Sequence, residues 1–90
     1  MRVALICKDK PNALQTRLDN RAAHLAHIEA SGVVEMAGPF LNEAGSMTGS
    51  LIVLNVEGLA AAQAWAAADP YAKAGLFESV SISEWKKVIG

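Results

Sequence analysis

With only one cysteine, Cys7, the chain can form no internal disulfide. A lone thiol suits a reducing compartment, so the cytoplasm is the expected location. Charge of one sign is missing too: the net charge is −1 at pH 7. That excludes the electrostatic footprint of a nucleic-acid binder or of a protein held on an anionic membrane. The first apolar run, Val3 to Cys7, reaches charge at Lys8, too soon for a membrane span or a signal segment. No phosphate loop, dinucleotide fingerprint or Gly-x-Ser-x-Gly elbow occurs. His24 and His27 have no third donor at ligand spacing, so neither a metal nor a cofactor is expected. What is present is 90 residues, 52% hydrophobic and 19% charged, which reads as one domain over residues 1–90 with a single modest core.

Val3 to Cys7 is apolar at both parities and reads as a strand buried on both faces. Pro11 or Asn12 opens a helix, with Asn12 as its N-cap, and Gly32 ends it after Ser31. Val33 to Phe40 reads as a second strand that ends or bulges at Gly38-Pro39, since proline cannot donate to a ladder. A loop from Leu41 to Gly49 leads into the strand Ser50 to Val56, again apolar at both parities. Gly58 to Ala68 is a helix of strong formers, stopped by Asp69-Pro70. A further helical turn over Pro70 to Gly75 precedes a last strand, Leu76 to Ile82, with Val80 and Ile82 sharing one parity. Trp85 to Ile89 either prolongs that strand or packs over an edge.

The order β-α-β-β-α-β is the ferredoxin-like arrangement, an α+β fold with both helices on one face of a four-stranded antiparallel sheet. The other face is left bare, although two of the strands are apolar on both sides. A bare apolar sheet is an association surface, so a homodimer packed sheet to sheet is expected.

The first helix raises a problem. Turned at about 100° per residue, it lines up Leu14, Leu18, Leu25 and Ile28 as one stripe, with Arg21 in its middle and Arg17 and His24 together on one shoulder. A core-facing stripe should carry no guanidinium without a partner. Either the arginines snorkel to water and His24 is a surface residue, or the helix brings two cations and an imidazole to the margin of a core. Asp69 is the second oddity, a carboxylate closing a helix C-terminus against the macrodipole. It could simply cap the next turn, with Pro70 at N1. It could also face the Arg21/His24 shoulder, settling Arg21 or holding the imidazole in one tautomer, as general-base sites require.

Four segments carry a resemblance: Arg21-Ala-Ala-His24-Leu-Ala-His, Ala37-Gly38-Pro39-Phe40, Gly45-Ser-Met-Thr-Gly49-Ser50, and Asp69-Pro70-Tyr71-Ala-Lys-Ala-Gly75-Leu-Phe. In this order and spacing they resemble the YCII-related family across nearly the whole chain. The resemblance implies a dimeric ferredoxin-like α/β barrel. It implies that His24 and Asp69 are the acid/base dyad, and that Gly38, Pro39, Gly49 and Ser50 shape the pocket mouth. One branch of the family resembles dehydrochlorinases that eliminate HCl from a chlorinated hydroxyhydroquinone, and muconolactone isomerases are related barrels. The resulting expectation is a cofactor-independent lyase or isomerase acting on a small, aromatic or quinone-like substrate. In it His24 shuttles a proton, Asp69 orients the imidazole, and Arg17 or Arg21 binds an oxyanion or carboxylate. The alternative is a non-catalytic dimeric module that binds a small ligand or a partner.

Overall fold

The computed structural model describes residues 1–90. Strand β1 (Arg2–Asp9) leads through a short loop to helix α1 (Leu14–Ser31). The hairpin of β2 (Val34–Leu41) and β3 (Met47–Asn55) follows, then α2 (Leu59–Ala68), the single turn α3 (Pro70–Lys73) and β4 (Phe77–Glu84). The strands form one antiparallel sheet in the order β2-β3-β1-β4, the ferredoxin-like β-α-β-β-α-β topology. Strand β2 lies at an edge, where Pro39 is tolerated because its missing N–H breaks no central ladder. No helix is long and apolar enough to cross a membrane.

Alternation explains the two faces of the sheet. Val3, Leu5 and Cys7 of β1 sit opposite Leu54, Ile52 and Ser50 of β3. Leu5 and Cys7 also sit opposite Ile82 and Val80 of β4. These side chains point toward the helices, where Val3, Leu5, Cys7, Ile52 and Leu54 join Ala62 and Trp65 of α2 in the core. Burying each large aliphatic side chain there contributes about 1.5–3 kcal/mol. On the other face Ile6 lies opposite Leu51, Leu51 opposite Gly38, and Val53 opposite Met36. Ile6, Met36 and Phe40 remain exposed, while β4 adds only Ser79, Ser81 and Ser83.

Helix α1 departs from the expectation set by its apolar spacing. Leu14, Leu18 and Leu25 are 42%, 47% and 43% exposed, whereas Arg17 is 3% and His24 6% exposed. The leucine stripe faces outward and the shoulder faces in. Arg21 lies on the exposed side and is not paired with Asp69. A polar face can be the buried one here because every buried side-chain nitrogen and oxygen has open space or a partner. The start of the helix differs as well. Its N-cap is Ala13, with no side-chain cap, and Asn12 instead takes the left-handed conformation, φ 58°, that asparagine tolerates better than most residues. Gly32 ends the helix in the left-handed region, φ 68°, as expected of a C-terminal glycine.

Candidate active site

Two carboxylates meet the buried side of α1. Asp9 continues the parity of Val3, Leu5 and Cys7 to the last residue of β1, so its side chain also points toward the helices. It grips Arg17 with both oxygens: Nε donates to Oδ2 and Nη2 to Oδ1, each at 2.8 Å. Nη2 also donates to Ser50 Oγ on β3 at 2.9 Å. Burial works against the guanidinium charge, but the hydrogen bonds and charge of Asp9 outweigh it, and the Arg17 pKa is raised. Arg17 is a permanent cation.

Asp69 sits between α2 and α3 and is 1% exposed. Its Oδ1 accepts the Tyr71 backbone N–H at 3.0 Å, which makes it the N-cap of α3 with Pro70 at the first position. The same oxygen lies 2.8 Å from His24 Nδ1. A carboxylate accepts, so Nδ1 carries a proton and, in the neutral ring, Nε2 holds the lone pair. Capping and imidazole orientation, the two roles the sequence leaves open to Asp69 together, both fall to one atom.

The Tyr71 ring stacks on the His24 ring, centroids 3.9 Å apart at 13°. The Arg17 guanidinium carbon lies 4.8 Å from the same ring centre, and Phe77 meets Tyr71 edge-on at 6.0 Å. Burial pushes the Tyr71 hydroxyl pKa up, against the opposing charges of Arg17 and Arg21, so it stays protonated at neutral pH.

These groups line a cavity of about 170 Å³ between α1 and the β2–β3 side of the sheet. Arg17, Arg21, His24, Ser50 and Tyr71 form its polar part; Leu25, Ile28, Ala37, Pro39, Met47 and Ile52 form its apolar part. Arg21 has no carboxylate within ion-pair distance, so it is the uncompensated cation of the wall. Gly38 lines the cavity, but Gly49 does not. A Cβ at Gly49 would overlap the Cys7 carbonyl oxygen, so this glycine serves the close approach of β1 and β3. His27 is turned elsewhere: Nε2 donates to the Trp65 carbonyl at 3.2 Å, and the two rings lie 4.5 Å apart. No group of three His, Cys, Asp or Glu side chains is placed to hold a metal ion.

Asp9 and Tyr71 are the members of this constellation that the sequence reading did not single out. Asp9 was legible in principle, because strand parity carries it to the same face as Leu5 and Cys7. Tyr71 gave no such signal, since its place depends on how α3 docks on α1.

The YCII-related domain matches residues 1–86. The chain belongs to this family. It is 41% identical over 97 residues to the protein YciI of Escherichia coli O6:H1, covering 98% of this chain and 99% of that one. Among solved structures it is similar to the 5-chloro-2-hydroxyhydroquinone dehydrochlorinase TftG of Burkholderia phenoliruptrix AC1100, which was solved with 2,5-dihydroxybenzoquinone. That likeness has a TM-score of 0.86 at 35% identity and covers 96% of this chain and 94% of the other. An antibiotic biosynthesis monooxygenase shares the fold at 11% identity, with a TM-score of 0.60 over 98% of both chains. The chain thus has the ferredoxin-like fold of the dimeric α/β barrel proteins.

Proposed function

We propose that this protein is a cofactor-independent lyase that eliminates a halide, as HCl, from a small hydroxylated ring. The observation that carries the reading is the His24–Asp69 pair: a buried imidazole with Nδ1 held by a carboxylate, on the wall of a cavity of about 170 Å³. A cavity of roughly 150 Å³ suffices for benzene, so the space takes a six-membered ring. The apolar wall would take the ring faces, and Arg21 would attract a phenolate or enolate oxygen. The likeness to TftG at 35% identity supports the same class of chemistry.

A chlorinated hydroxyhydroquinone illustrates the steps. His24 Nε2 takes the proton of the hydroxyl beside the C–Cl carbon, and a ring C=O begins to form. The imidazolium returns that proton to the carbon bearing chlorine, giving a non-aromatic ketone. The hydroxyl para to the first then loses its proton as the C–Cl bond breaks and chloride leaves, which yields a hydroxyquinone. The net change is loss of HCl, with no external oxidant. One positioned acid/base suffices, and such a group contributes typically 10²–10⁴-fold. Asp69 keeps Nε2 free and stabilises the imidazolium formed in the first step.

Two further properties belong to this reading. Ile6, Met36, Phe40 and Leu51 leave apolar surface on the face of the sheet away from the helices, and a second copy packed against it would bury that surface. A stable monomer in light scattering at micromolar concentration would contradict this pairing. A free, buried Cys7 fits a reducing cytoplasmic compartment.

Chloride release from a panel of chlorinated hydroquinones, with quinones and lactones tested beside them, addresses the activity. The wild-type protein should release chloride, and His24→Ala should be slower by about 10²–10⁴-fold. Equal rates in the two proteins would remove His24 from the chemistry. Binding of rings with no turnover of any would leave a ligand-binding module.

A further inference from the structure

Helix α1 carries a second imidazole that the proposed reaction does not use. His27 lies one turn beyond His24, is half-buried, and is not among the residues that line the cavity. Its Nε2 lies 3.2 Å from the Trp65 carbonyl oxygen. A carbonyl only accepts, so Nε2 carries the proton. The ring also packs on the Trp65 indole, centroids 4.5 Å apart at 35°. Trp65 belongs to the core, and its Nε1 donates to Ser31 Oγ at 2.9 Å, which in turn donates to the Ile28 carbonyl at 3.0 Å. The side-chain hydrogen bonds that join α1 to α2 therefore all meet at Trp65.

The Trp65 carbonyl needs a donor because of how α2 stops. In an uninterrupted helix it would accept from the N–H four residues on, that of Asp69. Asp69 has left the helix, with φ −62° and ψ 125°, and its N–H goes to the Ala66 carbonyl at 3.3 Å. Pro70, next along the chain, has no N–H to offer. The Trp65 carbonyl is thus one of the acceptors that a helix end leaves without an internal partner, and a side chain from another helix supplies the donor. Four residues after that carbonyl comes the carboxylate that holds His24. Two imidazoles one turn apart on α1 therefore hold one corner of the chain at two points. His27 grips the last turn of α2 by its backbone, and His24 meets the Asp69 side chain just beyond it.

We infer that His27 is a positioning residue for the His24–Asp69 pair: its Nε2–H fixes the last turn of α2 and, through it, the place of the Asp69 carboxylate against His24 Nδ1. The inference rests on the reading of His24 as the acid/base. What counts at position 27 is then the donor, not the ring or a charge. Without that donor the end of α2 can shift against α1, and a neutral His24 can put its proton on either nitrogen. A ring with the proton on Nε2 has no lone pair there with which to take another.

Two substitutions separate the donor from the ring. His27→Phe keeps an aromatic face for Trp65 and removes the N–H, whereas His27→Gln loses the ring but can bring a side-chain N–H to the same carbonyl. Each is first shown to be folded by its melt, and His27→Leu, also without a donor, replaces the phenylalanine variant should that one not fold. With isotope-labelled histidine, the ring-nitrogen shifts in NMR spectra at about pH 9, above the ordinary histidine range, report which nitrogen of His24 carries the proton. The wild-type protein should show it on Nδ1, His27→Phe a mixture of the two forms, and His27→Gln the wild-type form again. On a chlorinated hydroquinone that the wild type turns over, His27→Phe should lower kcat by roughly tenfold to 10²-fold, the effect of a small misplacement. KM should change little, because His27 does not line the cavity, and His27→Gln should regain most of the lost kcat. A wild-type proton position in folded His27→Phe would overturn the assignment whatever its kcat, as would the same mixture in His27→Gln as in His27→Phe. The nitrogen shifts need no turnover. If His27→Phe moves the proton while the wild type turns over no ring, or while kcat stays at the wild-type value, the elimination reading at His24 falls and the positioning of Asp69 by His27 stands. A wild-type His24 proton on Nε2 would overturn both.

Discussion

Asp9 reaches α1 from the end of β1, and Asp69 reaches it from the junction of α2 and α3, and the two meet different partners. Asp9 holds a guanidinium with two parallel bonds of 2.8 Å, a fork-to-fork geometry that fixes both groups. Asp69 holds an imidazole through a single bond of 2.8 Å, and imidazole is the side chain whose ordinary pKa lies closest to neutral pH. One pair is static. The other ends on the imidazole that, in the proposed reaction, takes up and returns a proton. Arg17 and His24 lie on one helix face, two turns apart, so a fixed ion pair and the proposed proton carrier line one cavity.

The largest effect expected from separating the two is on stability. Arg17→Met leaves the Asp9 carboxylate buried without a partner and should cost about 3–5 kcal/mol in denaturant melts. Adding Asp9→Leu to that variant should recover most of the loss, since an apolar pair of similar volume is often as stable as a buried ion pair. Arg21→Met, made on the exposed side of the same helix, should stay within about 0.5 kcal/mol of wild type. Equal losses for Arg17→Met and Arg21→Met would remove the distinction between the buried cation and the free one.

A smaller effect comes from Cys7, which feels both pairs. Burial pushes its thiol pKa up to about 12, the charges of Asp69 and Asp9 push it the same way, and Arg17 opposes them. The folded protein thus keeps a proton that the unfolded chain releases near the ordinary thiol pKa. The corresponding stability is complete below about pH 8.5 and is lost as pH rises toward 12. Melts at about pH 8 and about pH 10 should show a fall for the wild-type protein and a flatter response for Cys7→Ala. Tyr71, also raised by burial, accounts for a residual fall at the alkaline end. An identical pH slope in Cys7→Ala would place the titration elsewhere.

Much of this was legible in the sequence. Doubly apolar runs at Val3–Cys7 and Ser50–Val56, a polyalanine helix and breakers at Gly32 and Asp69-Pro70 define the ferredoxin-like order, and element ends move by a few residues at most. His24 and Asp69 stood out from the helix shoulder and the helix end, the resemblance joined them as a dyad, and their pairing is visible as a single 2.8 Å contact. The orientation of α1 was not legible. Hydrophobic periodicity assumes that the apolar stripe is the buried one, and here Leu14, Leu18 and Leu25 lie outside because Asp9 and Asp69 make Arg17 and His24 acceptable inside. The partners come from positions 8 and 45 residues away along the chain, which no local pattern reports. Gly49 was assigned to the pocket mouth by the same motif that includes Ser50. Alternation along β3 separates the two, since adjacent residues of a strand face opposite sides.

The central claim is that Asp69 serves the proton chemistry of His24 and not the fold alone, and Asp69→Asn tests it most directly. Both bonds to Asp69 end on Oδ1, so the asparagine carbonyl can still cap α3 and accept from Nδ1, while the negative charge is gone. Asparagine caps about as well as aspartate, and stability should fall by no more than about 1 kcal/mol. Chloride release should fall by roughly 10²–10⁴-fold, because an amide stabilises an imidazolium far less than a carboxylate does. Wild-type turnover together with wild-type stability in Asp69→Asn would contradict the claim and leave Asp69 as the N-cap of α3 and nothing more.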